Sequence, residues 1–200
     1  MKALYDAGQA GGKNLLLLHG TGGDERSLVD IARFLDGSGR ILSFRGEIQE
    51  EGMNRFFKRN GLNQFDFESL EEETDKLLSA IENESKDKGV AMEDWILVGY
   101  SNGANIAAHL LLERETPLKK GLFFHPMSLE VHTKTFDLSD KQVWLSYGGD
   151  RDPIVSQESF DELVTAFQKR NGNVTVEKTS AGHQINMEEL QSARNWLAGM

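Results

Sequence analysis

A serine between two glycines is the first feature of the sequence that suggests chemistry. The segment Gly99-Tyr100-Ser101-Asn102-Gly103 follows an apolar run and opens an amphipathic stretch. This Gly-x-Ser-x-Gly pattern is typical of a nucleophile on a sharp strand-to-helix turn, where larger side chains at the two glycines would collide with the adjoining backbone. The pentapeptide alone is a weak signal, and a serine that only caps the helix is the alternative. Its setting between a strand and a helix favours the nucleophile.

A serine nucleophile needs a base, and the base needs an acid to orient it. Of the five histidines, only His183 follows the acidic loop at the end of the fifth predicted strand. That loop, "YGGDRDPIVS" (147–156), offers Asp150 and Asp152, and spacing does not separate them. Pro153 favours an extended backbone at the residue before it, which favours Asp152 as the inward-facing carboxylate. The sequence therefore predicts catalysis by Ser101, His183 and Asp152.

Acyl transfer also needs hydrogen-bond donors for a developing oxyanion. The segment "LLLLHGTGGDE" (15–25) runs from a predicted strand into a glycine-rich loop, whose N–H groups can face inward. We expect the backbone N–H groups of Thr21 and Asn102 to form the oxyanion hole. A dinucleotide site does not fit this loop, because Glu25 stands where a third glycine is needed.

Alternating apolar and amphipathic stretches predict the elements that position these residues. Predicted strands cover 14–19, 40–44, 95–99, 121–125, 142–147 and 173–179, and predicted helices cover 24–35, 68–86, 102–114, 156–170 and 186–197. The first five strands are almost continuously apolar, as strands buried on both faces must be, whereas 173–179 alternates and suits a sheet edge. The pattern predicts an α/β fold, a mainly parallel sheet with helices on both faces, in one domain over residues 1–200.

Composition excludes several other functions. The chain has 200 residues, a net charge of −10 and no cysteine. This acidity argues against binding to nucleic acid or to anionic membranes, and the lack of cysteine excludes thiolate chemistry. The histidines do not show metal-ligand spacing, so we expect neither a metal nor a cofactor. Residues 1–13 lack the apolar stretch of a signal peptide, and we expect a cytoplasmic monomer or homodimer acting on a small molecule.

These motifs together resemble the α/β-hydrolase superfamily, and within it the phospholipase/carboxylesterase family that includes acyl-protein thioesterases. The resemblance runs over nearly the whole chain and includes "LLLLHGTGGDE", "VGYSNGANIA", "GGDRDPIVS" and "AGHQI". The sequence is most similar to a bacterial branch named as carboxylesterases or hydroquinone-degradation hydrolases. The resemblance implies an α/β-hydrolase fold without a lid domain and hydrolysis of a small carboxylic ester or thioester. It also implies Ser101 as nucleophile, Asp152 as acid, His183 as base, and Thr21 and Asn102 as oxyanion donors.

Residues 45–67, here called the arginine-rich segment, form a long connection without clear periodicity, and such connections are usually functional or mobile. One hypothesis is a cover over the site, in which Arg45 or Arg55 receives a carboxylate or phenolate of the substrate and Phe56 lines an apolar wall. The alternative is a surface segment whose aromatic residues are core or oligomer contacts. Met127, after the fourth predicted strand, is a further candidate for the pocket wall.

Two rival functions remain open at this stage. The same fold hydrolyses carbon–carbon bonds in ring-cleavage products, which a link to quinone metabolism would suit. A hydrolase scaffold also serves some proteins as a ligand receptor or partner-binding module without catalysis. The joint presence of serine, aspartate and histidine counts against a pure binder.

Overall fold

Seven strands form one mixed sheet in the computed structural model, which describes residues 1–200. The sheet order is β1 (Ala3–Asp6), β3 (Arg40–Phe44), β2 (Asn14–Leu18), β8 (Trp95–Tyr100), β9 (Lys120–Phe124), β10 (Gln142–Tyr147) and β11 (Asn173–Lys178). Only β1 runs antiparallel to its neighbour, and every other pair is parallel. The carboxyl ends of the six parallel strands therefore share one edge, where functional loops of such sheets lie.

Five helices cover the two faces of this sheet. They are α1 (Val29–Leu35), α2 (Phe67–Lys88), α3 (Asn102–Glu113), α4 (Gln157–Gln168) and α5 (Met187–Ala198). Because side chains alternate along a strand, Leu16 and Leu18 of β2 pack in the core on the side of α2, α3 and α4. Leu15 and Leu17 pack in a second core on the side of α1 and α5. The predicted mainly parallel sheet with helices on both faces is confirmed.

The six predicted strands are observed with small changes at their ends, and so are four of the five helices. The exception is α1, which begins at Val29 rather than at the predicted residue 24. Asp24 instead starts a turn, in which its carbonyl accepts the N–H of Ser27 and its side chain accepts the N–H of Arg26. None of the helices has the length and hydrophobicity needed to cross a lipid bilayer.

The arginine-rich segment contains two short hairpins that the sequence did not predict. β4 (Ile48–Glu50) pairs with β5 (Met53–Arg55), and β6 (Arg59–Gly61) pairs with β7 (Gln64–Phe65). Both hairpins follow β3, at the carboxyl edge of the sheet. They place the segment beside the loop that carries Ser101.

Candidate active site

Ser101 lies on a sharp turn between β8 and α3. Its backbone is in the left-handed region, with φ 50°, and its N–H donates to the carbonyl of Phe124 at 2.9 Å. The steric reason for the flanking glycines is visible, since a Cβ on Gly103 would lie 2.1 Å from the carbonyl oxygen of Leu18. The Ser101 side chain makes no capping hydrogen bond to α3, so its hydroxyl is free for another partner.

That partner is His183, in the loop between β11 and α5. The Ser101 hydroxyl and His183 Nε2 are 2.9 Å apart, and His183 Nδ1 is 2.9 Å from Asp152 Oδ2. Asp152 follows β10, and its Oδ1 accepts the N–H groups of Ile154 at 2.8 Å and Val155 at 2.9 Å. The alternative acid, Asp150, is exposed. The structure thus brings together Ser101, His183 and Asp152 from three separate loops.

Asp152 is held as a carboxylate. Burial alone would raise its pKa, but the nearby His125, the hydrogen bond with His183 and the N–H groups of Val155 and Ile154 hold the pKa far below its usual range. The ionised Asp152 accepts a hydrogen bond from His183 Nδ1, and Nε2 of the same ring faces the Ser101 hydroxyl, which is the arrangement that a general base requires.

Both expected oxyanion donors border the same cavity as Ser101. The N–H of Thr21 donates to no other protein group, and Asn102 is the first residue of α3, where N–H groups lack intrahelical acceptors. Two neighbouring residues of the arginine-rich segment contact both side chains: Arg55 Nη1 donates to Thr21 Oγ1 at 2.7 Å, and the N–H of Phe56 donates to Asn102 Oδ1 at 2.7 Å. The segment therefore connects the two residues that carry the expected donors.

The cavity at Ser101 has a volume of about 250 Å³. The arginine-rich segment supplies Arg55, Arg59, Leu62, Asn63 and Phe65 to its wall, and Met127 lies on the wall as well. Asn63 Nδ2 also donates to the carbonyl of Ile154 at 3.0 Å, which joins the second hairpin to the loop of Asp152. The segment therefore borders the site, as the cover hypothesis requires.

Two expected substrate-binding residues do not reach this cavity. Arg45 pairs instead with Glu25, with 2.6 Å between Nε and Oε2, and it does not line the cavity at Ser101. Phe56 is buried in the core, where its ring lies 4.8 Å from the ring of His19. Phe56 and Phe57 are therefore core residues, as in the alternative interpretation, whereas Phe65 of the same segment lines the cavity.

The guanidinium of Arg55 is nearly buried and lies near the guanidinium of Arg59. Its Nε lies 3.3 Å from Glu50 Oε2, and the same carboxylate oxygen is 3.6 Å from Arg59 Nε. Burial and the charge of Arg59 lower the pKa of Arg55, against the attraction of Glu50. Both guanidinium groups contact the Glu50 carboxylate, and Arg59 Nη2 also lies 3.6 Å from Oε2 of the exposed Glu51. Arg55 Nε and Nη1 already donate to Phe57 and Thr21, which leaves Nη2 without a protein acceptor.

A second cavity, of about 280 Å³, adjoins the first across Thr21 and Tyr100. Its apolar wall consists of Leu28, Ile31 and Ile185, and no charged residue lines it. The cavity at Ser101 therefore has arginine residues in its wall, whereas the second cavity, on the other side of the glycine-rich loop, is lined only by uncharged residues.

The sequence missed one pair of buried charged residues. His125 Nε2 lies 3.0 Å from Glu189 Oε1, and His125 Nδ1 lies 3.7 Å from Asp152 Oδ2. Ligand atoms of His125, Asp152 and His183 all lie within 4.8 Å of one another. They are engaged with one another, with Ser101 and with Glu189, so we assign no metal to them. Residues 125 and 189 are far apart in the chain, and no motif relates them.

Comparison with known proteins agrees with this architecture. The family model described as phospholipase/carboxylesterase matches residues 4–200. A putative hydrolase of Bacillus subtilis, MhqD, is 36% identical over 196 residues, covering 98% of this chain and 97% of the relative. The crystal structure of the Bacillus cereus carboxylesterase has a TM-score of 0.95 and 36% identity, over 100% of this chain and 94% of that chain. The structure of YahD with malic acid has a TM-score of 0.94 and 39% identity, over 99% and 98%.

The fold and these matches define a hydrolase with the α/β-hydrolase fold. The chain belongs to the phospholipase/carboxylesterase family. The resemblance inferred from the sequence motifs is confirmed, and so is the fold without a lid domain.

Proposed function

We propose that this protein is a serine hydrolase that cleaves small carboxylic esters or thioesters through an acyl-enzyme. The observation that carries the proposal is the continuous hydrogen-bonded chain from Ser101 Oγ through the His183 imidazole to Asp152. A buried, ionised carboxylate, a neutral imidazole and a free hydroxyl in this order are the parts that nucleophilic catalysis by serine requires.

The proposed reaction follows from this geometry. His183 Nε2 accepts the hydroxyl proton as Ser101 Oγ attacks the carbonyl carbon, and Asp152 stabilises the imidazolium. The N–H groups of Thr21 and Asn102 donate to the oxyanion of the tetrahedral intermediate. His183 then gives the proton to the leaving alcohol or thiol. Water, activated by the same imidazole, hydrolyses the acyl-enzyme and returns the proton to Ser101.

We further propose that the preferred substrate carries a carboxylate. Arg55 Nη2 has no protein acceptor, and Arg55 and Arg59 line the cavity at Ser101, whereas no acidic residue lines it. A guanidinium in such surroundings is well suited to binding a carboxylate. The similar protein YahD, solved with malic acid, supports a small carboxylate as ligand. We assign the uncharged half of the ester to the second cavity, beside Leu28 and Ile31.

Replacing Ser101 by alanine tests the proposal directly. We expect kcat for a p-nitrophenyl ester to fall by about 10⁴ to 10⁶, as in other triads. A fluorophosphonate probe should label the folded wild type once, as seen by intact mass, and should leave Ser101→Ala unlabelled. Near-wild-type activity of the variant would contradict the assignment. Folded wild type that resists labelling would favour the receptor alternative, and faster cleavage of a vinylogous diketone than of an ester would favour the carbon–carbon hydrolase.

A further inference from the structure

A second histidine lies beside the proposed triad and has no part in the proposed reaction. The ring centroid of His125 is 5.3 Å from that of His183, and its side chain is fully buried. Nε2 is paired with Glu189, whereas Nδ1 has no hydrogen-bond partner and is directed at Asp152 Oδ2, 3.7 Å away. The backbone of His125 is left-handed, with φ 52°, which is unusual for a residue other than glycine. Strained backbone of this kind concentrates at functional sites.

The charges around His125 decide its protonation state. The side chains of Asp152 and Glu189 are also fully buried, and two buried carboxylates are costly without positive charge nearby. A neutral His125 that donates to Glu189 would turn the Nδ1 lone pair towards a carboxylate oxygen, which is repulsive. A protonated His125 presents an N–H there instead. Burial opposes the charge, but Asp152 and Glu189 outweigh it and raise the pKa of His125 above its ordinary value.

Separate elements hold this imidazole in place. Glu189 Oε2 accepts the N–H of Asn186 in the capping box of α5, so the helix start fixes the carboxylate. The N–H of His125 donates to Ser146 Oγ of β10. The ring of Tyr100 in β8 stands edge-on, with 6.2 Å between centroids. The titratable groups that face His125 are therefore Asp152, Glu189, His183 and Tyr100.

We propose that His125 is a positioning residue, an imidazolium held between Glu189 and Asp152 that fixes the Asp152 carboxylate and places a positive charge beside the His183 ring. Its charge is a property of the folded protein and does not depend on the reaction. Its effect on the pH dependence of activity rests on the proposed function. A permanent positive charge near the base would keep the enzyme active in more acidic solution.

The protonation state can be observed without any substrate. In protein labelled with ¹⁵N-histidine, we expect both ring nitrogens of His125 to be protonated at pH 7.5 in a long-range ¹H–¹⁵N spectrum, with His125→Asn used for assignment. In Glu189→Gln, glutamine keeps the capping box but removes the charge, so His125 should lose its proton at a lower pH than in the wild type. A neutral His125 ring in the wild type at pH 7.5, or identical titration in both proteins, would overturn the proposal.

The pH–rate profile tests the functional half. Asparagine tolerates the left-handed backbone of residue 125 and carries no charge. In His125→Asn we expect the acid limb of kcat/KM for a neutral ester to move to higher pH by about one unit, because a unit charge at this separation has been removed. A lower plateau with an unmoved acid limb would show a merely structural role. If the wild type hydrolyses no ester, the proposed function fails while the spectrum still decides the charge of His125.

Discussion

Arg55 has contacts that point to two different tasks. Its Nη1 holds the Thr21 hydroxyl, and Thr21 provides a proposed oxyanion donor through its backbone. Its Nη2 is the donor left for a ligand at the cavity wall. Removing the side chain therefore affects both the oxyanion hole and the anion site, and an experiment has to separate the two.

The variants Arg55→Met and Thr21→Val provide that separation. Thr21→Val removes only the acceptor of Arg55, so we expect a loss of about tenfold in kcat/KM for neutral and carboxylate-bearing esters alike. Arg55→Met should lower kcat/KM for the carboxylate ester by a further ten- to hundredfold, about the value of a charge-assisted hydrogen bond. Matched esters that differ only in the carboxylate provide the measurement. Equal losses on both esters in Arg55→Met would contradict an anion site.

Ile31 tests the assignment of the uncharged half of the substrate. It is partly buried, lies on α1 and lines the second cavity but not the cavity at Ser101. Ile31→Trp should fill part of this cavity, so we expect KM for a hexyl or benzyl ester to rise about tenfold while the methyl ester is little affected. Unchanged kinetics with the longer alcohols would place that half of the substrate elsewhere. Ile81, buried in the opposite core, is unsuitable as a control, whereas the exposed Val176→Trp is a suitable one.

At the scale of elements, the loop after β10 and the loop after β11 contact each other through their backbones. The N–H of Gly182 donates to the carbonyl of Gly148 at 3.0 Å. Gly182 directly precedes His183, and Gly148 lies four residues before Asp152. A Cβ on Gly148 would lie 1.9 Å from the carbonyl oxygen of Gly182. This close approach of two backbones is what brings the acid to the base.

Gly148→Ala should therefore impair catalysis by pushing the two loops apart. The φ of Gly148 is −79°, so the effect is steric rather than conformational. We expect kcat to fall about a hundredfold and the free energy of unfolding to fall by about 1–3 kcal/mol. Gly37→Ala is a control, because its Cβ would meet only the Arg33 carbonyl oxygen at 3.7 Å. Kinetics and urea unfolding measure both effects, and wild-type kcat in Gly148→Ala would contradict the argument.

The sequence predicted the elements whose apolar residues repeat, and it failed where the signal is not apolar. β2 is four leucines in a row and could hardly be missed, whereas β1 is short and mostly exposed. The two hairpins between 48 and 65 consist largely of charged and polar residues, so no alternation marks them. Ser101 and His183 could be predicted from the motif and the strand order, whereas the preference for Asp152 over Asp150 depended on Pro153 and on the family resemblance. The position of the Arg45 side chain could not be predicted, because its ion pair with Glu25 depends on tertiary contacts.

At the scale of the whole molecule, burial of apolar side chains stabilises the two cores, and ion pairs contribute at the surface. The sheet ends in β1 on one side and in β11 on the other, and most residues of β11 are exposed. The net charge of −10 means that the chain repels anions at long range. Binding of the proposed carboxylate-bearing substrate would therefore depend on local attraction by Arg55 and Arg59, over distances shorter than the Debye length of about 8 Å at physiological salt.

The ion pairs of Glu25 make the stability of the protein depend on pH in the acidic range. Its side chain is buried and pairs with Lys2 at 3.0 Å and with Arg45 at 2.6 Å, joining the amino-terminal segment to the loops after β2 and β3. Burial alone would raise its pKa, but hydrogen bonds with Lys2, its own backbone and Arg45 lower it to about 2. Because the pKa is lower in the folded state, the stabilisation is present above the ordinary value of about 4.3 and is lost as the pH falls towards 2.

Glu25→Gln should therefore be less stable than the wild type at pH 7, and the difference should shrink on acidification. Urea unfolding at pH 7, 4 and 3 measures it, with Glu72→Gln, at an exposed position of α2, as the control that lacks these partners. The physical reason is that, as the pH falls, Glu25 becomes protonated in the unfolded state at a higher pH than in the folded state. Acid therefore removes from the wild type the electrostatic stabilisation that Glu25→Gln already lacks at pH 7. A gap between wild type and Glu25→Gln that stays constant from pH 7 to pH 3 would mean that packing, and not charge, holds this corner of the molecule.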